Sequence, residues 1–278
     1  MVVPLGPNTS GPSFPDDAFA GTATYYVRFR VPYPEILLKD LLDRSGALSS
    51  SRLLDLACGP GRLTFRLAPY FSEVQAIDLE PEMIEAARHQ ADQLGVTHIR
   101  WTVGRAEDLD SAPDSFGLIT MGEAFHRLDQ PRVAAGAFRW LRPGCCIASV
   151  GSYSIFGGGE PWQRIVLQVV RRWSNRLSPD TGAKTQGTER GGPNDQERVL
   201  REAGFVEVSR PVFFVPYEWT VDSILGFLYS TSVSSKAVLG KNVKSFEEDL
   251  RSTLLAHDPA GIYRETMQWG YTLARKPT

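Results

Sequence analysis

An excess of charge of either sign is the first thing this chain lacks: 30 Lys and Arg stand against 32 Asp and Glu, for a formal net charge of −2. Such a chain has no long-range attraction to a polyanion, so a nucleic-acid substrate is disfavoured, with only a local basic patch left open. Cysteine is scarce too. Cys58, Cys145 and Cys146 are odd in number with one adjacent pair, which suits neither a disulfide framework nor a zinc site; reduced thiols used as small core residues are expected, and no metal site. No apolar run approaches the roughly 20 residues that a bilayer span needs. Residues 1–11 lack the basic start and apolar centre of a signal peptide, so a cytoplasmic protein without membrane partners is expected.

What is present is ordinary globular material, 42% hydrophobic and 22% charged, enough for one sizeable core. Residues 1–20 are rich in Pro, Gly, Ser and Asp without periodicity and read as a mobile arm; 21–278 read as a single domain. Helical spacing over 33–48 is followed by an alternation of short apolar runs and helical stretches. Strands are expected at 52–57, 74–77, 99–103, 116–121 and 145–151, and helices at 62–71, 81–94 and 130–141. Strands separated by helices imply a parallel sheet covered on both faces, with right-handed crossovers. The fold class is therefore α/β, a doubly wound, mostly parallel seven-stranded Rossmann-like sheet. The alternation stops over 154–195, where an apolar helix at 162–177 and a Gly- and Thr-containing stretch suggest an inserted lid. A helix at 197–203, a strand at 205–215, helices at 221–229 and 245–255 and a last strand at 267–274 complete the pattern.

Ligands in such folds sit beyond the carboxyl ends of the strands, where strand order reverses. The run Leu53-Leu54-Asp55-Leu56-Ala57-Cys58-Gly59-Pro60-Gly61 carries an apolar strand into a glycine turn and a helix, and Gly59 and Gly61 let the backbone approach a ligand closely. A nicotinamide fingerprint would place a third small residue where Thr64 stands, and Asp55 before the turn would repel a pyrophosphate while suiting an ammonium group, directly or through water. Asp78 closes the next strand, where a carboxylate can accept from both hydroxyls of a ribose; the bland reading is a strand-end turn residue. Ala106 and Glu107 follow the third strand, placed to read an adenine edge, with Leu79 and Met83 able to pack on its faces. Glu107 with Asp108 can equally be a solvated loop.

These residues together resemble the class I S-adenosylmethionine-dependent methyltransferases. LLDLACGPGRLT is similar to the first motif of that family, AIDLEPEMIEAAR to its second, VGRAEDL to its adenine segment and LRPG to the end of its post-catalytic helix, while YYVRFRVPYP and AFHRLD resemble a subgroup acting on small molecules. The resemblance implies that Asp55, Gly59 and Gly61 surround the methionine part of S-adenosylmethionine, Asp78 the ribose, and Ala106 with Glu107 the adenine. Arg105 departs from the acidic residue common at its position, and Arg127-Leu128 from an aromatic pair that helps shape the acceptor pocket.

His126, one of four histidines, lies just beyond the fourth strand, where a neutral imidazole can take a proton from an acceptor; the competing reading is a histidine that holds the loop through the backbone. Glu123 faces the amino-acid part of the cofactor or merely ends its strand. Tyr25, Tyr26, Arg28, Arg30 and Tyr33 form an aromatic and basic cluster, a flap in which Tyr26 and Arg30 close over sulfonium and carboxylate, or else the packing of a first helix. The stripe Trp162, Ile165, Val166, Val169, Val170 and Trp173 suits core or pocket wall. Aromatics at Tyr153, Phe156, Trp162, Trp173, Phe213, Phe214, Tyr217, Trp219, Phe227 and Tyr229 suggest an apolar pocket for an aromatic, polyketide-like or fatty small-molecule acceptor. A cofactor-binding enzyme that does not methylate, such as a cyclase, an RNA or protein methyltransferase, and a regulatory binding module are the rival readings.

Overall fold

The computed structural model describes residues 21–152, 157–177 and 193–278. The expected arm 1–20, the pocket candidates Tyr153 and Phe156, and 178–192 of the expected lid lie outside them.

Five parallel strands follow one another as the spacing predicts: β1 (Arg52–Leu56), β2 (Glu73–Asp78), β3 (Ile99–Val103), β4 (Phe116–Gly122) and β5 (Leu141–Ser152). Between them run α3 (Arg62–Leu67), α4 (Pro81–Leu94) and α5 (Gln130–Trp140), after α1 (Ala23–Phe29) and α2 (Glu35–Ser45). The sheet order is β3-β2-β1-β4-β5, continued by the later strands β8 (Ile262–Arg275) and β6 (Val206–Ser209), so the direction of winding reverses between β1 and β4. Strand residues alternate between two cores, which is why they read as continuous apolar runs. Leu53, Leu118 and Val74 pack with Leu37, Leu63 and Ile84 of α2, α3 and α4, whereas Leu54, Ile119 and Ile147 pack with Val133 and Ala137 of α5 and Leu200 of α7 (Pro193–Glu202). Helix ends follow local chemistry: Gly46 and Gly95 close α2 and α4 in the left-handed region, and Asp129 caps α5 by accepting from Arg132 N–H at 3.2 Å.

The strand expected over 205–215 is two strands, β6 (Val206–Ser209) and β7 (Val212–Thr220), broken at Arg210-Pro211, so the sheet has eight strands in seven lateral positions. Proline cannot donate to a ladder. Both pieces pair with the same edge of the antiparallel β8 (Ile262–Arg275), and Gly270 faces the break, where a Cβ would come within 3.0 Å of the Pro211 carbonyl oxygen. β8 is also longer than expected. Its last residues pair with β5 as far as Ser152 opposite Trp269, and residues 262–268 run on beyond the carboxyl edge of the parallel strands, paired only with β7.

That two-stranded ribbon is covered by α6 (Pro161–Leu177), α8 (Val221–Tyr229) and α10 (Val243–His257), with the short α9 (Lys236–Leu239) between the last two. The stripe Trp162, Val166, Val169, Val170 and Trp173 is buried core. Trp162 Nε1 donates to the Arg264 carbonyl at 3.2 Å and Gln163 Nε2 to Glu265 at 2.6 Å, which fastens α6 to β8. α1 lies against α8, and Gly226 of α8 is left bare by the Phe29 ring. Among the described residues no helix is long and apolar enough to cross a membrane.

Candidate active site

The turn after β1 brings the backbone to the carboxyl edge. Gly59 and Gly61 have φ of 55° and 81°, and a Cβ on Gly61 would lie 2.6 Å from the Trp101 ring and 2.8 Å from Phe65. Asp78 at the end of β2 binds this turn: one carboxylate oxygen accepts from Gly59 N–H at 2.7 Å, the other from Glu80 N–H at 3.0 Å. The carboxylate expected at a ribose thus also anchors the glycines. Leu79 is half-buried beside it, and Met83 is buried in the first turn of α4.

Asp55 is fully buried, and its carboxylate accepts from Thr64 Oγ1 of α3 at 2.5 Å and Thr120 Oγ1 of β4 at 2.8 Å. It clamps three elements together at the winding reversal. Burial pushes its pKa from the ordinary 3.8 up to about 6 against the pull of these hydroxyls. The folded state therefore holds this proton more tightly than the unfolded chain does. The resulting stabilisation is complete below about pH 4 and is lost as the pH rises through about 6, a change on the order of 3 kcal/mol. We expect Asp55→Asn to gain stability relative to wild type by about that amount between pH 4 and pH 7.5, read from urea melts along a pH series. A difference independent of pH would show that Asp55 does not titrate in that window.

Ala106 is buried in the 3-10 turn Ala106–Asp108. The Glu107 carboxylate, read as an adenine contact, accepts from Asp129 N–H at 3.0 Å and lies 3.8 Å from Arg105 Nε, so it also braces the start of α5.

Beyond β4 and β5 opens a cleft. Tyr26 and Arg30 of the α1 segment, Arg62 of α3, Glu123 and Ser152 supply its polar wall; Trp219, Phe227, Met267 and Trp269 supply the apolar one. The Arg30 guanidinium lies 4.5 Å from the Tyr26 ring and 5.0 Å from the Phe227 ring, and donates to Ser230 Oγ at 2.9 Å and its carbonyl at 3.0 Å. Tyr26 reaches the glycine turn: its ring lies 4.0 Å from where a Gly59 Cβ would be. Glu123 sits at φ 56°, a left-handed conformation rare for a residue with a side chain, which points to a functional constraint. One of its oxygens accepts from Ser152 N–H and Oγ, both at 2.7 Å. Tyr33 packs on Trp269 with ring centroids 5.3 Å apart, and burial raises its phenol well above the ordinary value, so it stays an O–H donor at neutral pH.

His126 is half-buried in the 3-10 turn Phe125–Arg127 after Glu123 and is not among the side chains lining the cleft. The pocket aromatics divide. Trp219 and Phe227 form cleft wall, Trp173 and Tyr229 pack on Phe246 instead, and Phe214 is 67% exposed on the outer face of β7. Val31, Arg62, Ser152, Met267 and Trp269 line the cleft without being singled out by spacing or motif. The alternation of Tyr263, Glu265, Met267 and Trp269 along β8 is the sequence signal that marks one inward face.

The arrangement is that of an α/β protein with a glycine turn, a strand-end carboxylate and one cleft walled by polar groups and aromatics at the carboxyl edge of its sheet. Residues 53–144 match the methyltransferase domain family. An uncharacterized methyltransferase of Schizosaccharomyces pombe is 33% identical over 192 residues, which cover 63% of this chain and 68% of that protein. One from Bacillus subtilis is 36% identical over 83 residues, and the chain spans only 33% of its length. The chain belongs to the class I S-adenosylmethionine-dependent methyltransferases, and S-adenosylmethionine is its cofactor. The fold agrees with the solved structure of YcgJ from Bacillus subtilis, at a TM-score of 0.56 and 17% identity over 87% of this chain and 98% of that one. A Haemonchus contortus phosphoethanolamine N-methyltransferase solved with phosphomonomethylethanolamine and S-adenosylhomocysteine gives the same score and identity over 92% of this chain and 57% of that one.

Proposed function

We propose that the protein transfers the methyl group of S-adenosylmethionine to a small organic acceptor with an apolar or aromatic body. The observation that carries this reading is the cleft at the ends of β4 and β5, which adjoins the glycine turn and is walled by four apolar side chains from β7, α8 and β8.

The residues present fit the cofactor. Asp78 has the position for the ribose, with the carboxylate within a strand end's reach of the glycine turn; Leu79, Met83 and the Ala106 turn suit the adenine. Arg30, fixed on Ser230 through Nε and Nη2, keeps Nη1 for a carboxylate. Glu123 has one oxygen bound to Ser152 and the other, Oε2, uncommitted among the described residues, which suits an ammonium. Asp55 acts behind this surface by fixing the turn. S-adenosylmethionine supplies a methyl group on a sulfonium, so that a nucleophile attacking in line forms its bond to the methyl carbon as the carbon–sulfur bond breaks and its electron pair passes to sulfur. The protein's share is orientation and exclusion of water, which can lower a barrier by about 7 to 11 kcal/mol in well-aligned cases. Tyr26, stacked on Arg30, and the ribbon aromatics close the cleft on both sides.

His126 lies outside the cleft lining but in the turn directly after Glu123, and its proposed role as base or acceptor-orienting group requires that turn to bring the ring to the acceptor. His126→Ala is expected to lower kcat by about 100-fold while S-adenosylhomocysteine affinity stays within about twofold; unchanged turnover would remove that role. Calorimetric titration with S-adenosylmethionine and S-adenosylhomocysteine tests the whole reading, since a folded protein that binds neither is not a methyltransferase. The three unpaired thiols suit a cytoplasmic location.

A further inference from the structure

We propose that Arg62 is a positioning residue for the cofactor: its guanidinium latches the segment joining α1 to α2 onto the helix of the glycine turn, and so holds Arg30 where the carboxylate of S-adenosylmethionine is met. The inference rests on Arg30 and the glycine turn being the cofactor site, and it names the residue that keeps the two together.

Arg62 opens α3, directly after Gly61. Its Nη2 donates to two successive carbonyls, those of Arg30 and Val31, both at 2.8 Å. α1 has ended there: Arg30 is its C-terminal cap with an extended backbone, and residues 31–34 lie in neither helix nor strand. Among the described residues no backbone N–H reaches either carbonyl, so that without Arg62 each would depend on water. The donor is charged, which makes such bonds roughly twice as strong as neutral ones.

Arg30 is thereby tied to both sides of the cleft. Its carbonyl is held by α3, in the cofactor half, while its side chain donates to the hydroxyl and the carbonyl of Ser230, at the end of α8. Its guanidinium lies over the rings of Tyr26 and Phe227, and the Tyr26 ring reaches the glycine turn at Gly59. The packing of α1 on α8 would by itself carry the segment with the cap. Val31 and Tyr33 are buried beneath it, but apolar contact is non-directional; two bonds to adjacent carbonyls fix which residue stands over the turn.

The charge of Arg62 is accommodated where it stands. Burial weakens its hold on its proton, while Tyr33, Tyr26 and Glu123 strengthen it, and from so high a starting point the guanidinium stays charged at neutral pH. It also lies 5.8 Å from the centre of the Tyr33 ring. Replacing it by a shorter neutral side chain leaves two adjacent carbonyls without their donor, so the end of α1 is free to move off the glycine turn and to take Arg30 with it.

The test is calorimetric titration of S-adenosylhomocysteine into the full-length wild type, Arg62→Gln, Arg62→Lys, Arg30→Ala and the two double variants, with hydrogen-exchange mass spectrometry of residues 23–34 as a local readout. Arg62→Gln is expected to weaken binding by about 10-fold and Arg62→Lys, which keeps the charge on a single donor atom, by about three- to fivefold. In the Arg30→Ala background neither should weaken it by more than about a further twofold, because the side chain that Arg62 positions is gone. S-adenosylhomocysteine should slow exchange over 23–34 in the wild type and not in Arg62→Gln, while 59–67 stay protected in both. If Arg62→Gln does not fold, Arg62→Lys carries the same cycle. The proposal is overturned if the folded Arg62 variants bind within about twofold of wild type and lose only melting temperature, since Arg62 then merely supports the fold. It is overturned equally if Arg30→Ala binds as the wild type does, or if the losses from Arg62 and Arg30 multiply, which would put Arg62 on the cofactor directly. Failure of the wild type to bind S-adenosylhomocysteine at all would remove the cofactor reading itself, a separate and recognisable outcome.

Discussion

Asp78→Ala is expected to weaken S-adenosylmethionine and S-adenosylhomocysteine binding by about 10- to 150-fold, the equivalent of 1.5 to 3 kcal/mol for a charged hydrogen-bond partner. The loss has two sources. The carboxylate that would receive the ribose hydroxyls is gone, and Gly59 and Glu80 lose the acceptor their N–H groups reach at 2.7 and 3.0 Å, so the turn is no longer held in its binding shape. Asp78→Asn separates them: the amide oxygen can still accept from one N–H, but the charge is absent, and an intermediate loss is expected. Calorimetry on both variants, with circular dichroism to confirm folding, checks the prediction. Affinities within twofold of wild type in Asp78→Ala would reduce Asp78 to a turn residue.

Trp219→Ala is expected to destabilise the protein by about 3 to 5 kcal/mol, which for a chain of this size lowers the melting temperature by roughly 6 to 20 °C. Trp219 is fully buried and joins the ribbon to the α6 and α8 that cap it, with ring centroids 4.8 Å from Tyr217, 5.4 Å from Phe227 and 6.2 Å from Trp162. Its Nε1 donates to Glu265 Oε1 at 2.6 Å. Truncation leaves a void and strips a donor from a carboxylate whose pKa burial already raises. Because the glycine turn and Asp78 stand on the other side of the cleft, S-adenosylhomocysteine affinity should fall much less than stability, whereas turnover of any acceptor should be lost. Calorimetric melting together with cofactor titration measures both. A matched collapse of cofactor affinity would show that cap and cofactor half fold as one unit.

The cofactor half is legible because its determinants are short-range. A strand, a glycine turn and a helix occupy consecutive residues, and Asp55, Gly59, Gly61 and Asp78 lie within one β-α-β unit, so spacing alone assembles them. Side-chain partners are not so encoded: nothing in the spacing shows that Glu107, expected at an adenine, accepts from Asp129 N–H 22 residues on. The cap is illegible for another reason. Arg30 and Ser230, or Gln163 and Glu265, meet across 200 and 102 residues of chain, a distance over which periodicity carries no information. The outer half of β8 also hides itself, since a ribbon with one wet face accepts Arg264 and Thr266 between Tyr263, Glu265 and Met267. Only the inward half of the alternation looks like a strand.

The cleft is thus assembled from two inheritances. Residues 53–144, the stretch shared with the wider family, contain Asp55, the glycine turn, Asp78, Arg62 and Glu123, whereas Trp219, Phe227, Met267 and Trp269 come from the later strands and helices that cover it. Substitutions in the ribbon and α8 can reshape the aromatic compartment without disturbing a single bond of the cofactor turn. A lineage built this way can exchange one acceptor for another by drift in its cap alone, while the chemistry of the donor stays where it was.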